Sequence, residues 1–166
     1  MPTSKEKGER RKDMTAIRFF MPMIPPTVTA QEHRVGRKTK GGKVLFYDSP
    51  ELADARDKLT AHLSRHKPEK PLEGAVTLSV RWYFPVTGKH HNGEWKTSKP
   101  DTDNLVKLLK DCMTKVGFWH DDAQVCYELV TKVYSDVPGI GIAVKKPCAE
   151  FVKVEFVELE SKCYDS

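Results

Sequence analysis

The run from Leu105 to Val116 constrains this chain more tightly than any other part of it. Leu105, Leu108, Leu109, Cys112, Met113 and Val116 fall at i, i+3, i+4, i+7, i+8 and i+11, one face of an amphipathic α-helix. A stripe that apolar needs a second layer to cover it, which commits the chain to a packed core around this helix. Gly117 follows where a left-handed residue ends a helix. Acids bracket the element: Asp101 and Asp103 at its entry, Asp111 within it, Asp121 and Asp122 just after its end.

The rest of the chain supplies the covering layer. AIRFFM (16–21) suits a strand, and Pro22, Pro25 and Pro26 then break it. Residues 34–43 are rich in Gly and Lys and read as a long hairpin tip or mobile loop, with VLFY returning as a short strand. Ser49, Pro50 and Glu51 start a helix: a capping hydroxyl, proline at the first position and an acid in the first turn. Leu52, Ala55, Leu59, Ala61 and Leu63 give it an apolar stripe to about residue 65, where KPEKP ends it. In GAVTLSVRWYF, the residues Val76, Leu78, Val80, Trp82 and Phe84 alternate onto one face, the pattern of a half-buried strand. AQVCYELVTKVY, IGIAV and FVKVEFVEL read as three further strands. The expected architecture is α+β, about two helices on one mainly antiparallel or mixed sheet. It forms a single domain over 14–160, with a mobile basic tail at 1–13 and a short tail at 161–166.

No segment is long and apolar enough to span a bilayer and 1–13 hold no apolar signal core, so the expected location is the cytoplasm. The four cysteines, Cys112, Cys126, Cys148 and Cys163, lack zinc-ligand spacing and read as buried reduced thiols. A net charge of +5 suits a polyanionic partner. Its distribution says more: Arg34, Arg37, Lys38, Lys40 and Lys43 crowd one segment without an acid among them. Bases that hold a phosphate backbone, around acids that hold a cation, are what a phosphodiester-cleaving site needs.

Asp101 and Asp103 would diverge inside a helix but can converge on one ion at its entry, where Pro100 favours an extended backbone. Such oxygens suit Mg²⁺, with Mn²⁺ as a substitute. The alternative is helix capping, which asks for an aspartate at the same place and needs no metal. An EF-hand is excluded, because Leu105 occupies the next ligand position and no glycine stands at the sixth. Lys107 lies four residues from both Asp103 and Asp111. It serves either as their i,i+4 partner or as an ammonium beside a scissile phosphate. Phe118 and Trp119 read as packing, with base stacking by Trp119 the rival. His90, His91 and His120 read as solvated or phosphate-adjacent residues rather than metal ligands.

The run KPDTDNLVKLLKDCMTKVGFWHDDAQV resembles the signature of the RusA family of Holliday-junction resolvases: the D-x-D-N-L-x-K entry, the helix, the glycine-aromatic turn and DDAQV. The resemblance is strong over 99–126 and looser before it. It implies that Asp101, Asp103 and Asp122 are metal-binding carboxylates required for cleavage, with Asp121 a neighbour able to assist. It makes Lys107 the catalytic lysine, Asn104 a residue that fixes the turn and Lys99 a DNA contact. It also implies a Mg²⁺-dependent homodimer that resolves four-way junctions by paired symmetric nicks, the enzyme's two-fold symmetry answering the substrate's. Carboxylates held close together would bind protons more readily, so activity is expected to fall in mild acid and with chelator.

Two rivals stand beside that expectation: a module that binds branched DNA without cutting it, and a flap or general structure-specific nuclease using the same acids. Distance adds a condition. A helix over 102–116 is about 22 Å long, and the chain from Gly117 to Asp122 spans at most about 17–20 Å. Asp122 therefore joins Asp101 only if the chain doubles straight back, if the helix is shorter, or across a dimer.

Overall fold

The computed structural model describes residues 16–28 and 34–147. The tails at 1–13 and 161–166, the strand expected at FVKVEFVEL, Cys148 and Cys163 lie outside the described residues.

The structure is α+β. Strand β1 (Ile17–Met21) is followed by a hairpin of β2 (Arg34–Lys38) and β3 (Val44–Asp48), helix α1 (Pro50–Leu63) and strand β4 (Val76–Pro85). Helix α2 (Thr102–Val116), a short 3₁₀ turn at Asp122–Gln124, and strands β5 (Val125–Ser135) and β6 (Gly139–Lys145) complete it. Four strands form one sheet in the order β1-β6-β4-β5, and β2-β3 form a separate two-stranded sheet. The first half of the basic segment 34–43 is thus strand, and its tip is confined to 39–43, closed by Thr39 N–H to Lys43 O at 2.9 Å.

β6 is antiparallel to both β1 and β4, whereas β4 and β5 run parallel. A parallel pair needs a crossover of a dozen or more residues. The loop after β4 together with α2 is that crossover. The alternation in β4 is as expected: Val76, Leu78, Val80, Trp82 and Phe84 are all buried. They meet the stripe of α2, whose Leu105, Leu108, Leu109, Cys112 and Met113 are buried, and Val116 packs at the margin of that core. In α1, Ser49 Oγ accepts from Leu52 N–H and Leu52, Ala55, Leu59 and Leu63 are buried. Ala61 is exposed, two positions off the buried row. Arg56 ties three elements together, bonding Asp48 of β3 at 2.7 Å and lying 3.6 Å from Asp111 of α2.

The expectation of buried thiols holds for Cys112 and fails for Cys126. Burial pushes the Cys112 thiol above its ordinary pKa. Cys126 lies on β5, an edge strand of the sheet, and is exposed there. Among the described residues, no helix is long and apolar enough to cross a membrane.

Candidate active site

The entry of α2 is built from outside the helix. Lys132 of β5 donates from Nζ to the carbonyls of Ser98 (2.7 Å) and Pro100 (2.6 Å), the residues on either side of Lys99, whose bond to Pro100 is cis. Lys96 supports the same turn: its Nζ donates to Ser98 Oγ at 2.6 Å and lies over the Phe84 and Tyr134 rings. Burial and the neighbouring Lys96 ammonium hold the Lys132 amine below its ordinary pKa, against the pull of the Asp101 carboxylate. The segment leading into Asp101 is thereby tied to the sheet.

Asp101 is the N-cap residue of α2, with extended backbone, and its main-chain oxygen accepts from Leu105 N–H at 3.1 Å. Its carboxylate makes no capping hydrogen bond. A capping aspartate is normally worth about 1 kcal/mol, so this side chain sits where it could cap and does not. Asp103 is exposed in the first turn of the same helix. Lys107 is exposed one turn further on. Among the described residues it pairs with neither Asp103 nor Asp111, and Asp111 turns instead toward Arg56. The ordinary explanations for Asp101 and Lys107, a cap and an i,i+4 pair, are thus not the ones realised.

The far end of α2 is arranged differently. Gly117 takes φ 96°, ψ 36°, the left-handed cap its position called for. Phe118 and Trp119 then turn inward and are buried. Trp119 donates from Nε1 to Thr114 Oγ1 at 2.7 Å, so packing, not base stacking, is its role in this fold. Asp121 caps the 3₁₀ turn by accepting from Ala123 N–H at 2.8 Å. Gln124 locks the turn, accepting from His120 and Asp121 N–H and donating to the carbonyls of Leu72 and Gly74. Of the acidic pair, Asp121 is engaged in capping, and Asp122 opens the 3₁₀ turn beside it.

Asp101 and Asp103 share the entry of α2; Asp121 and Asp122 stand at its other end. Contacts along the helix fix this: Lys132 reaches Pro100, Lys110 pairs with Glu128 at 2.9 Å, and Trp119 bonds Thr114. β5 therefore starts beside the C-terminal end of α2 and runs back antiparallel to it. Fifteen helical residues at 1.5 Å each separate the two acidic ends by about 22 Å. Accordingly, among the described residues, no group of three or more His, Cys, Asp or Glu side chains is placed to hold one metal ion.

The expected DNA contacts are dispersed. Lys38, Lys40 and Lys43 are exposed at the end of the β2–β3 hairpin, Arg34 and Arg37 lie on β2, and Lys99 is exposed just before Asp101. His90 and His91 are exposed, as expected, and both also meet a carboxylate. Their Nδ1 atoms lie 2.9 Å and 3.1 Å from Glu94, and His90 stacks on Tyr134. The His90 hydrogen bond, helped by the His91 N–H, holds the Glu94 carboxyl below its usual range. Lys132, Lys96 and Glu94 had no signal in the sequence. Lys132 acts on a turn more than thirty positions away, and Lys96 reaches the Phe84 and Tyr134 rings, partners that no local period relates to them, whereas Glu94 pairs within its own irregular loop.

Comparison with known proteins agrees with the signature. The sequence profile of a family described as Endodeoxyribonuclease RusA matches residues 24–145. A protein of Lactococcus phage r1t named crossover junction endodeoxyribonuclease rusA is 36% identical over 118 residues, covering 70% of this chain and 88% of that protein. Uncharacterized protein YqaN of Bacillus subtilis (strain 168) is 29% identical over 121 residues, covering 66% of this chain and 84% of its own length.

Proposed function

Because the chain belongs to the RusA family of endodeoxyribonucleases, we propose that it resolves four-way DNA junctions, working as a Mg²⁺-dependent homodimer that makes paired symmetric nicks. The observation that carries this reading is the entry of α2: an aspartate at the cap position whose carboxylate does no capping, a second exposed aspartate, and an exposed lysine one turn on that pairs with neither neighbouring acid.

Asp101 and Asp103 are carboxylate oxygen donors of the kind Mg²⁺ takes, with Mn²⁺ as a substitute. Asp122 completes the set from a second copy of the chain, with Asp121 beside it. A two-fold axis crossing α2 near its midpoint brings the N-terminal end of one helix to the C-terminal end of its mate. It generates two equivalent sites about one helix length apart, one for each strand to be cut. Asp101, Asp103 and Asp122 would hold the divalent ion, which when bound would supply Lewis-acid activation of water and offset charge on the leaving oxygen. Lys107 stands where its ammonium meets charge building on the phosphate's non-bridging oxygens. Lys132 keeps the Asp101 segment from moving during the reaction, and Lys99 with the hairpin cations Arg34, Arg37, Lys38, Lys40 and Lys43 holds the backbone without reading sequence.

Labelled four-way junction, flap and plain duplex, each incubated with Mg²⁺ or EDTA, test the reading. Symmetric nicks in the junction alone, abolished by EDTA, are expected. Cuts confined to the flap would instead make it a flap nuclease, and junction binding without cuts a non-cleaving branched-DNA module.

A further inference from the structure

Stacking on a DNA base needs a ring that solvent can reach, and Trp119 is buried. Of the three tryptophans in the chain, Trp82 is buried as well, whereas Trp95 is 62% exposed. Its backbone is not loose. Residues 93–96 run along the outer edge of β5: Gly93 N–H donates to Tyr134 O, Tyr134 N–H to Glu94 O and Lys96 N–H to Lys132 O, at 2.8–3.1 Å. Trp95 thereby stands opposite Val133 in an antiparallel bridge, which puts the two side chains on one face of the sheet.

Strand alternation sets what surrounds the indole. Trp82 and Phe84 of β4 point into the core beneath the helices, so Arg81 and Tyr83 point the other way. With Trp95 they line a cavity of about 220 Å³, and both also line the open groove of about 550 Å³ that continues from it to Arg18. Arg81 Nε donates to Thr131 Oγ1 at 3.1 Å, which holds the guanidinium on this face. Phe20, 40% exposed, meets the Tyr83 ring edge-on with centroids 5.8 Å apart. Rings on which bases stack, beside cations that hold a phosphate backbone, are the combination that single-stranded nucleic acid takes. Intact duplex offers only base edges in its grooves and has no free base to lay on a ring.

The geometry points to Trp95, Tyr83 and Arg81 as a binding site for an unpaired DNA base, with the indole stacked on the base and Arg81 on the adjoining phosphate. The site is read from this face; its place at a branch point rests on junction DNA being the substrate. Asp101 follows Trp95 by six positions, and Lys96 and Lys132 pin the intervening segment to β5. The span is therefore at most about 20 Å. At about 3.4 Å per nucleotide, the stacked base lies within about six nucleotides of the phosphate to be cut. Bases are free to leave their pairs where junction arms meet, so the site adds a preference for branched DNA that phosphate contacts cannot supply.

Fluorescence reads the site directly, because Trp95 is the tryptophan that a bound base can reach. In EDTA, oligothymidylate is expected to quench the wild-type emission, and blunt duplex to quench it far less. Anisotropy of labelled DNA then measures affinity in the variants. Trp95→Ala should weaken oligothymidylate and junction binding about tenfold and leave duplex binding unchanged, and Trp95→Phe should retain most of the affinity. Arg81→Gln should weaken oligothymidylate binding less than Trp95→Ala does. A melting temperature near wild type for Trp95→Ala checks that the edge of β5 stays in place. Equal quenching by duplex, equal loss of duplex binding, or a Phe variant as weak as the Ala variant overturns the proposal. So does an oligothymidylate affinity indifferent to Trp95. Because the oligothymidylate measurements involve neither a junction nor a cut, their failure leaves junction resolution standing. A protein that stacks on single strands and nicks no junction loses the functional reading and keeps this site.

Discussion

At the scale of single residues, the same residue type takes opposite roles depending on where its lone pairs go. Asp121 accepts from Ala123 N–H and is structural, whereas Asp101 holds an equivalent cap position at α2 without spending its carboxylate on the backbone. Asp101→Asn and Asp103→Asn therefore keep the helix and lose the negative charge. Each is expected to cut junction cleavage by at least about 10²-fold while junction binding and melting temperature stay near wild type. Lys107→Met should lower kcat by about 10²–10³-fold, the usual loss on removing a donor aimed at developing charge. Single-turnover cleavage against binding by gel shift separates the two effects. A fall in melting temperature with proportionate loss of both would reassign these residues to the fold. From the residues alone, cap and metal ligand could not be told apart at Asp101, because both require a carboxylate at the same position. The hydrogen-bond partners show that the carboxylate does not cap.

At the scale of elements, what repeats locally was readable and what closes a long loop was not. The stripe of α2, its Gly117 stop and the alternation in β4 declare themselves within a dozen residues. The parallel pairing of β4 with β5 and the Lys132 bridge to Pro100 join residues more than thirty positions apart, which no periodicity encodes. Lys132 is a positioning residue whose loss leaves two carbonyls without their donor. Lys132→Met is expected to cost about 1–2 kcal/mol of stability and to depress kcat more than junction affinity. A purely structural role would lower both together with the melting temperature. The loop preceding α2 carries a pH signature through Glu94. Its folded pKa is depressed, so its contribution to loop order is complete above the unfolded value of 4.5 and is lost as pH falls below it. Amide exchange across 86–97, corrected for its intrinsic pH dependence, should change little from pH 7 to 5 and rise below about pH 4.5. Glu94→Gln should flatten that profile.

At the scale of the whole molecule, the question is how acids at opposite ends of one helix come to serve one reaction. Within one chain Asp101 and Asp122 stand at opposite ends of α2, a helix about 22 Å long. The proposed two-fold pairing would remove the difficulty, because it would exchange the ends of the helix. Mixed dimers decide the matter. Asp101→Asn and Asp122→Asn homodimers are each expected to be inactive. When the two are unfolded and refolded together, about half of the dimers contain one subunit of each kind. If sites are shared, one site in such a dimer combines both substitutions and the other has none. The mixture should then regain nicking of one strand, giving nicked junctions rather than paired cuts. If each chain built its own site, every site in the mixed dimer would carry one substitution and no activity would return. Recovery of single nicks, scaling with the heterodimer fraction and abolished by EDTA, is the expected result; an inert mixture containing verified heterodimers would place each site within one subunit and require α2 and β5 to rearrange on DNA.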